Sequence, residues 1–158
     1  MKKIGAYVIS ILIALGVGGL SALLTRDSMN IYRELVTPPL SPPSILFPLV
    51  WTVLFVLMGV SAALIYNTPA QGDSDQKTQA LFTYALSLFV NFCWSLFFFN
   101  GQAFLFSFVW LIFLWVLILK TILEYKKINP SAAYLQIPYL AWVTFAGYLN
   151  LGIYLLNR

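Results

Sequence analysis

The chain has 158 residues, of which 61% are hydrophobic, 17% aromatic and only 9% charged, where an ordinary soluble domain carries about 25% charged residues. This composition excludes a water-soluble domain, and five apolar stretches of about twenty residues, each long enough as a helix to cross a hydrocarbon layer of about 30 Å, make residues 1–158 one polytopic membrane domain. No histidine is present and the single cysteine, Cys93, lies inside an apolar run, which removes the commonest general base and metal ligand and rules out a disulfide framework; no metal site or cofactor is expected. A net charge of +4 scattered over loop ends does not make a nucleic-acid surface.

The first span is expected over residues 4–24, behind Lys2 and Lys3. It is longer than the apolar region of a signal peptide, and ALLTRD at its end is a poor cleavage site, so the segment is read as retained. Ala6, Ser10, Ala14, Gly18 and Ala22 recur every fourth residue. Small residues at that spacing let another helix approach closely, and packing inside its own bundle is preferred to a dimer seam.

Residues 25–43 form the longest hydrophilic connection, with Arg26, Asp27, Arg33 and Glu34 around SMNIYRELV, a candidate short helix. Pro38, Pro39, Pro42 and Pro43 then hold the chain extended, because each fixes its own φ and restricts the residue before it. The second span follows over 44–66, with Pro48 in its first turns, where a missing backbone donor costs least.

NTPAQGDSDQK reads as a polar turn into a third span, 78–99, which carries Thr83, Ser87, Asn91 and Ser95 as a polar stripe that must face protein rather than lipid. A tight NGQ turn at 100–102 leads to a fourth span, 103–123, and EYKKINPS connects it to a fifth, 132–156, which contains Pro138. The absence of an internal repeat disfavours an inverted-repeat transporter. Lys2, Lys3, Lys77, Lys120, Lys126 and Lys127 fall on one side of this topology and Arg26, Arg33 and Arg158 on the other, so the positive-inside rule places the N-terminus inside and the C-terminus outside.

The expected spans carry no ionisable group at membrane depth, since Lys120 and Glu124 near the end of the fourth can snorkel to the interface. A proton-coupled pump lacks its carboxylate, and a Ser-His-Asp hydrolase lacks its base. What remains is aromatic. Pro48, Trp51, Phe55 and Met58 share one helical face; Ser87, Asn91 and Trp94 share another; Trp142, Ala146, Leu149 and Ile153 share a third, with Phe145 and Asn150 on its flank. Trp110 and Trp115 are read as interfacial belt residues or core fillers. Trp51 and Trp142 each follow a proline by less than two turns on the side of the proline loop. Asn91 needs a partner at that depth, either across to another helix or in a ligand. An uncharged site of indoles, phenyl rings and an amide suits a flat, mostly apolar guest held by stacking, under a lid stiffened by proline. Arg33, ahead of Arg26, is the candidate to meet an anionic edge of that guest, unless both are simply solvated loop charges.

At these residues the sequence strongly resembles the translocator protein family, also called tryptophan-rich sensory proteins, the TspO/MBR family or peripheral benzodiazepine receptors. The resemblance covers nearly all five spans and is most specific in PYLAWVTFAGYLN (138–150), VNFCWSLFFF (90–99) and PPSILFPLVWTVLFVLMG (42–59). It implies a five-helix bundle, often a homodimer, whose pocket opens under the loop between the first two spans and takes protoporphyrin and related tetrapyrroles. Sterols in some members, isoquinoline carboxamides and benzodiazepines are further ligands. Carried over, Trp51, Asn91, Trp94, Trp142 and Ala146 match pocket residues, and Tyr32, Pro42 and Pro43 match the loop above. Some members are reported to degrade porphyrin in light, which would make Trp51 and Trp142 redox-active, catalytic neighbours of the excited ring. The family often has tryptophan where Leu40 and Ile45 stand, so this lid offers fewer stacking surfaces. Leu151, Tyr154 and Arg158 fit a loose cholesterol-recognition spacing that many membrane helices match by chance.

The expected function is an integral membrane receptor or sensor for tetrapyrroles and related flat apolar ligands, bound by Tyr32, Pro42, Pro43, Trp51, Phe55, Asn91, Trp94, Trp142, Phe145, Ala146 and Leu149. A light-dependent porphyrin-degrading enzyme is the first alternative. A passive carrier of porphyrin or sterol is the second, for which no residue supplies energy coupling. Membrane lipid is the other partner, and by family analogy a bacterial cytoplasmic membrane is the expected location.

Overall fold

In a computed structural model describing residues 2–69 and 74–158, the chain is an all-α bundle. Helix α1 covers Lys2–Thr25, and a 3₁₀ turn at Arg26–Ser28 leads into the short α2, Met29–Glu34. Then come α3 (Leu46–Asn67), α4 (Ser74–Ser95), a π turn (Leu96–Asn100), α5 (Phe104–Ile128) and α6 (Pro130–Asn157). All except α2 are long and apolar enough to cross a membrane. The packing runs as a ring: α1 on α3, α3 on α6, α6 on α5, α5 on α4, with α4 closing against α1 and α3.

The small-residue face of α1 is used inside this ring. Ala14 is fully buried, and Phe55 of α3 lies over Gly18, where any Cβ would collide with its ring. The backbone of α1 comes nearest α3 at Gly59, whose position for a Cβ is 2.6 Å from Cα of Ile11. Elsewhere on α1, Ile4, Val8, Leu12 and Leu20 are exposed apolar surface, as a helix facing hydrocarbon requires. On α4 the polar stripe turns inward as expected: Thr83, Ser87 and Asn91 are buried, and Ser95 is half-buried. Ser61 of α3 donates to the carbonyl of Ala132 on α6 at 2.7 Å, so a helix-to-helix bond satisfies it where lipid offers none.

Helix ends differ from expectation where polar residues continue a buried face. The connection expected over 124–131 shrinks to Asn129, because Tyr125 is fully buried and holds the extra turn of α5 against the core. Asn129 then caps α6 by accepting from the Ser131 amide at 3.1 Å, with Pro130 at the first helical position, where its missing N–H costs nothing. The extra turn also moves Glu124 inward: instead of snorkelling to the interface, its side chain is only 17% exposed. Helix α4 starts at Ser74 rather than 78, and residues 70–73 of the expected polar turn, like the side chain of Lys2, lie outside the described residues. Its other end opens into the π turn, where the Gly101 amide reaches the Leu96 carbonyl at 2.9 Å. Gln102, at φ 49°, completes the expected NGQ reversal.

Two glycine substitutions carry opposite expected signs. Gly59→Ala forces a methyl into the backbone of α1 and is expected to lower stability by about 1–3 kcal/mol. Gly16→Ala meets nothing within 4 Å and is expected to raise it by up to about 1 kcal/mol through helix propensity. Thermal unfolding of both variants in the same detergent checks the pair.

Candidate ligand-binding cavity

Between the C-terminal half of α1, the N-terminal half of α3 and the C-terminal halves of α4 and α6 lies a cavity of about 450 Å³. Tyr32, Trp51, Phe55, Asn91, Trp94, Trp142, Ala146 and Leu149 all line it. The three faces read from the sequence therefore converge, because each is a buried stripe on a helix that the ring packing turns inward. Met58 and Ser87, on the same faces one turn further along, are buried beyond the cavity.

The rim is a continuous run of rings. Trp142 meets Phe47 with ring centroids 6.0 Å apart, Phe47 meets Tyr32 at 5.5 Å, Tyr32 meets Phe99 at 6.2 Å, and Phe99 meets Trp94 at 6.1 Å, all in edge-to-face arrangements. Trp94 stacks on Phe98 at 5.2 Å. Deeper in, Trp51 tilts against Phe55 at 5.6 Å and meets Tyr139 edge-on at 6.2 Å. Each such pair adds about 0.5–1.5 kcal/mol beyond burial, so the walls are held by one another.

The polar groups divide into those in use and those without partners. Asn91 donates to the Tyr139 hydroxyl at 2.8 Å, a helix-to-helix bond, while still facing the cavity. Trp94 donates to Oδ1 of Asn150 at 3.1 Å. Two donors of lining residues, Nε1 of Trp142 and the hydroxyl of Tyr32, are buried away from the open space and bonded to nothing among the described residues. Burial pushes the Tyr32 phenol above its ordinary range, so it remains a neutral donor at physiological pH. Among the described residues, Arg26 is the one charged side chain on the lining. Arg33, the first choice from sequence, is exposed and away from it, because Arg33 follows Tyr32 around α2 and turns outward when Tyr32 turns in.

Residues 9–156 match the model of the TspO/MBR family. The chain belongs to that family. It is 37% identical to the tryptophan-rich protein TspO of Chlorobaculum tepidum, over 96% of this chain and 94% of that one. Identity is 35% to the tryptophan-rich protein TspO of Archaeoglobus fulgidus, covering 95% of both chains. A translocator protein of Ovis aries is 33% identical over 75% of this chain and 70% of its own. This TspO/MBR chain is thus a multi-pass membrane protein with five candidate spanning helices.

The lid is built differently from expectation. Neither Pro42 nor Pro43 lines the cavity of this family member, and no described residue from 33 to 46 does; the cover is Arg26, Met29 and Tyr32, with Phe47 and Pro48. The proline segment runs instead as a strap along α6. Pro38 is buried against Gly152, whose Cβ position would be 2.6 Å from its ring. The Tyr148 hydroxyl donates to the Pro39 carbonyl at 2.7 Å, and Asn157 both accepts from the Val36 amide at 3.0 Å and donates to its carbonyl at 2.8 Å. Pro43 offers its carbonyl to the Leu46 amide at the start of α3. Phe145 also misses the cavity, lying between Trp142 and Tyr148 at 5.6 and 6.1 Å on the flank of α6. Residues not foreseen on the wall include Gly19, Ser21 and Thr25 of α1, together with Phe98, Phe99 and Asn150. The four-residue repeat of small side chains marks Gly18 and Ala22, which serve the cavity as well as the packing, but not Gly19, Ser21 or Thr25.

Asn157→Ala removes both strap bonds at an exposed position and is expected to cost about 1 kcal/mol. Hydrogen exchange should speed up over residues 35–45 with little change in α4 or α5. Equal protection in the variant would show that the Tyr148 bond to Pro39 and the packing of Pro38 on Gly152 hold the strap without Asn157.

Proposed function

We propose that this protein is a membrane receptor that takes protoporphyrin-type tetrapyrroles and related flat, apolar ligands into the cavity beneath α2. The observation that carries the reading is the convergence of Trp51 and Trp142, from separate helices, on one cavity. Aromatic faces give a macrocycle its stacking surface, and a carboxylate at its edge calls for a cation beside it. Arg26, exposed on the rim, supplies the complementary charge. The cavity volume lies in the range of small-molecule sites, about 300–1,000 Å³.

The bundle also carries the charge asymmetry read from the sequence. Lys3, Lys77, Lys120, Lys126 and Lys127 lie at the end where α1 and α4 begin and α5 ends, and Arg26, Arg33 and Arg158 at the cavity end. The positive-inside rule then puts the cavity mouth on the outer side of the membrane. A reporter enzyme that folds only outside the cytoplasm, fused after Arg158, is expected to be active; activity from a cytoplasm-only reporter at that position would reverse the orientation.

Protoporphyrin titrated into detergent-solubilised protein, followed by its absorbance shift, tests the ligand. With about 0.5–1.5 kcal/mol from each lost indole contact, the double variant Trp51→Phe, Trp142→Phe is expected to bind about fivefold to a hundredfold more weakly. Arg26→Gln should weaken the free acid more than its dimethyl ester. Wild-type affinity in the double variant would remove both indoles from the site.

A further inference from the structure

The cavity is not closed on every side. Among the described residues that line it, five are exposed: Gly19 and Ala22 near the end of α1, Arg26 just past it, and Pro48 and Thr52 in the first turns of α3. The lining residues of α4, the π turn and α6 are all buried or half-buried. Glycine and alanine have no side chain that could reach past a wall, so Gly19 and Ala22, which are exposed and also line the cavity, stand at its edge. A Cβ at Gly19 would meet nothing within 4 Å.

These residues border one gap. Helices α1 and α3 are antiparallel and touch where Gly59 meets Ile11; counted along both helices from that contact, Gly19 stands level with Trp51 and Ala22 with Pro48. Beyond Gly18, which Phe55 covers, α1 brings to this edge two residues with little to bridge the gap. The other sides are fastened. Asn100, at the end of the π turn, donates to the Leu24 carbonyl at 3.0 Å and accepts from the Ser28 hydroxyl at 2.6 Å, which ties the end of α4 to the end of α1. Tyr32 is buried between Phe47 and Phe99 beneath α2. Ring contacts of Phe47 with Trp142 and of Trp51 with Tyr139 close α3 on α6.

The gap faces lipid rather than water. Helix α3 has 22 residues and is about 33 Å long, close to the hydrocarbon thickness of about 30 Å. Ala22 and Gly19 precede the end of α1 at Thr25 by about 5 and 9 Å, which sets the gap level with acyl chains. Leu23, Leu49 and Val53, next in sequence to Ala22, Pro48 and Thr52, are exposed and apolar. Arg26, one turn above Ala22, is placed to reach the headgroups.

We propose that the guest enters and leaves sideways, from the leaflet at the cavity end, through the slot between Gly19 and Ala22 on α1 and Pro48 and Thr52 on α3. A flat apolar ring then passes from acyl chains to aromatic walls without crossing water, while Arg26 at the upper edge meets its carboxylate at headgroup level. This route rests on the receptor reading; the slot itself does not.

Two measurements on liposome-reconstituted protein carrying Cys93→Ser, which removes the free thiol, decide it. A nitroxide on Ala22→Cys reports what fills the gap: collisions with dissolved oxygen, which concentrates in hydrocarbon, are expected to exceed those with a water-soluble nickel chelate, and the reverse order would overturn a mouth on lipid. Ala22→Cys with Pro48→Cys, joined by a short bis-maleimide that contains a disulfide, shuts the gap reversibly. Protoporphyrin uptake and release are each expected to be about tenfold slower with the bridge closed than in the same protein after reduction, both rates moving together because a route is blocked. Uptake at an unaltered rate with the bridge closed means entry past α2 and overturns the proposal. Protein that takes up no protoporphyrin in either state counts against the receptor reading, whereas the nitroxide alone still decides whether the slot opens on lipid.

Discussion

An amide buried in apolar surroundings must find partners for both of its ends or cost several kcal/mol, and Asn150 finds them on two other helices. It is 1% exposed; Oδ1 accepts the Trp94 indole of α4 at 3.1 Å, and Nδ2 donates to the Phe104 carbonyl at the start of α5, at 2.8 Å. Those two bonds fix α4, α5 and α6 relative to one another in the half of the bundle that contains the cavity. They also orient Trp94, and through its contacts with Phe98 and Phe99 the constraint passes along the rings to Tyr32, Phe47 and Trp142. The geometry of the rim therefore rests on a polar group that never needs to touch a guest.

The empty volume has a different origin. Helix α1 contributes Gly18, Gly19, Ser21 and Ala22 to the wall, residues with little or no side chain to extend into the space that the aromatics of α3, α4 and α6 surround. Gly18 also lets Phe55 lie flat against α1, which keeps that ring on the wall. Aromatic helices supply surfaces and the small-residue helix supplies room. Neither alone makes a site, because aromatics facing ordinary aliphatic residues pack into a solid core at close to crystal density.

Much of this is legible in the sequence, and the division between what is and is not follows from locality. A buried face on one helix is a local pattern, so residue spacing alone puts Trp51 with Phe55, Asn91 with Trp94, and Trp142 with Ala146 and Leu149 on inward stripes. Where a segment docks depends on residues far along the chain. The prolines are stiff, as their spacing implies, yet their position over α6 rather than over the cavity is set by Gly152, Tyr148 and Asn157, more than a hundred residues away. The choice of Arg26 over Arg33 depends on the rotational phase of α2, which is set where Tyr32 packs on Phe47 and Phe99. Glu124 looks interfacial in the sequence because charged residues suggest that its helix stops there, whereas a buried Tyr125 carries α5 one turn past that boundary.

The size of the cavity bears on what it is for. A sealed, dry void costs about 24 cal/mol per Å³; this cavity has a mouth, with Arg26 exposed on it, so the cost of about 11 kcal/mol that 450 Å³ would carry if sealed is an upper bound, set against about 5–15 kcal/mol for the folding stability of a typical domain. A chain under no need to keep the space would gain by filling it, for instance with leucine at Gly19 or Ala22. The glycines and alanines of α1 are thus a standing cost that only an occupant offsets, whether guest, lipid chain or water.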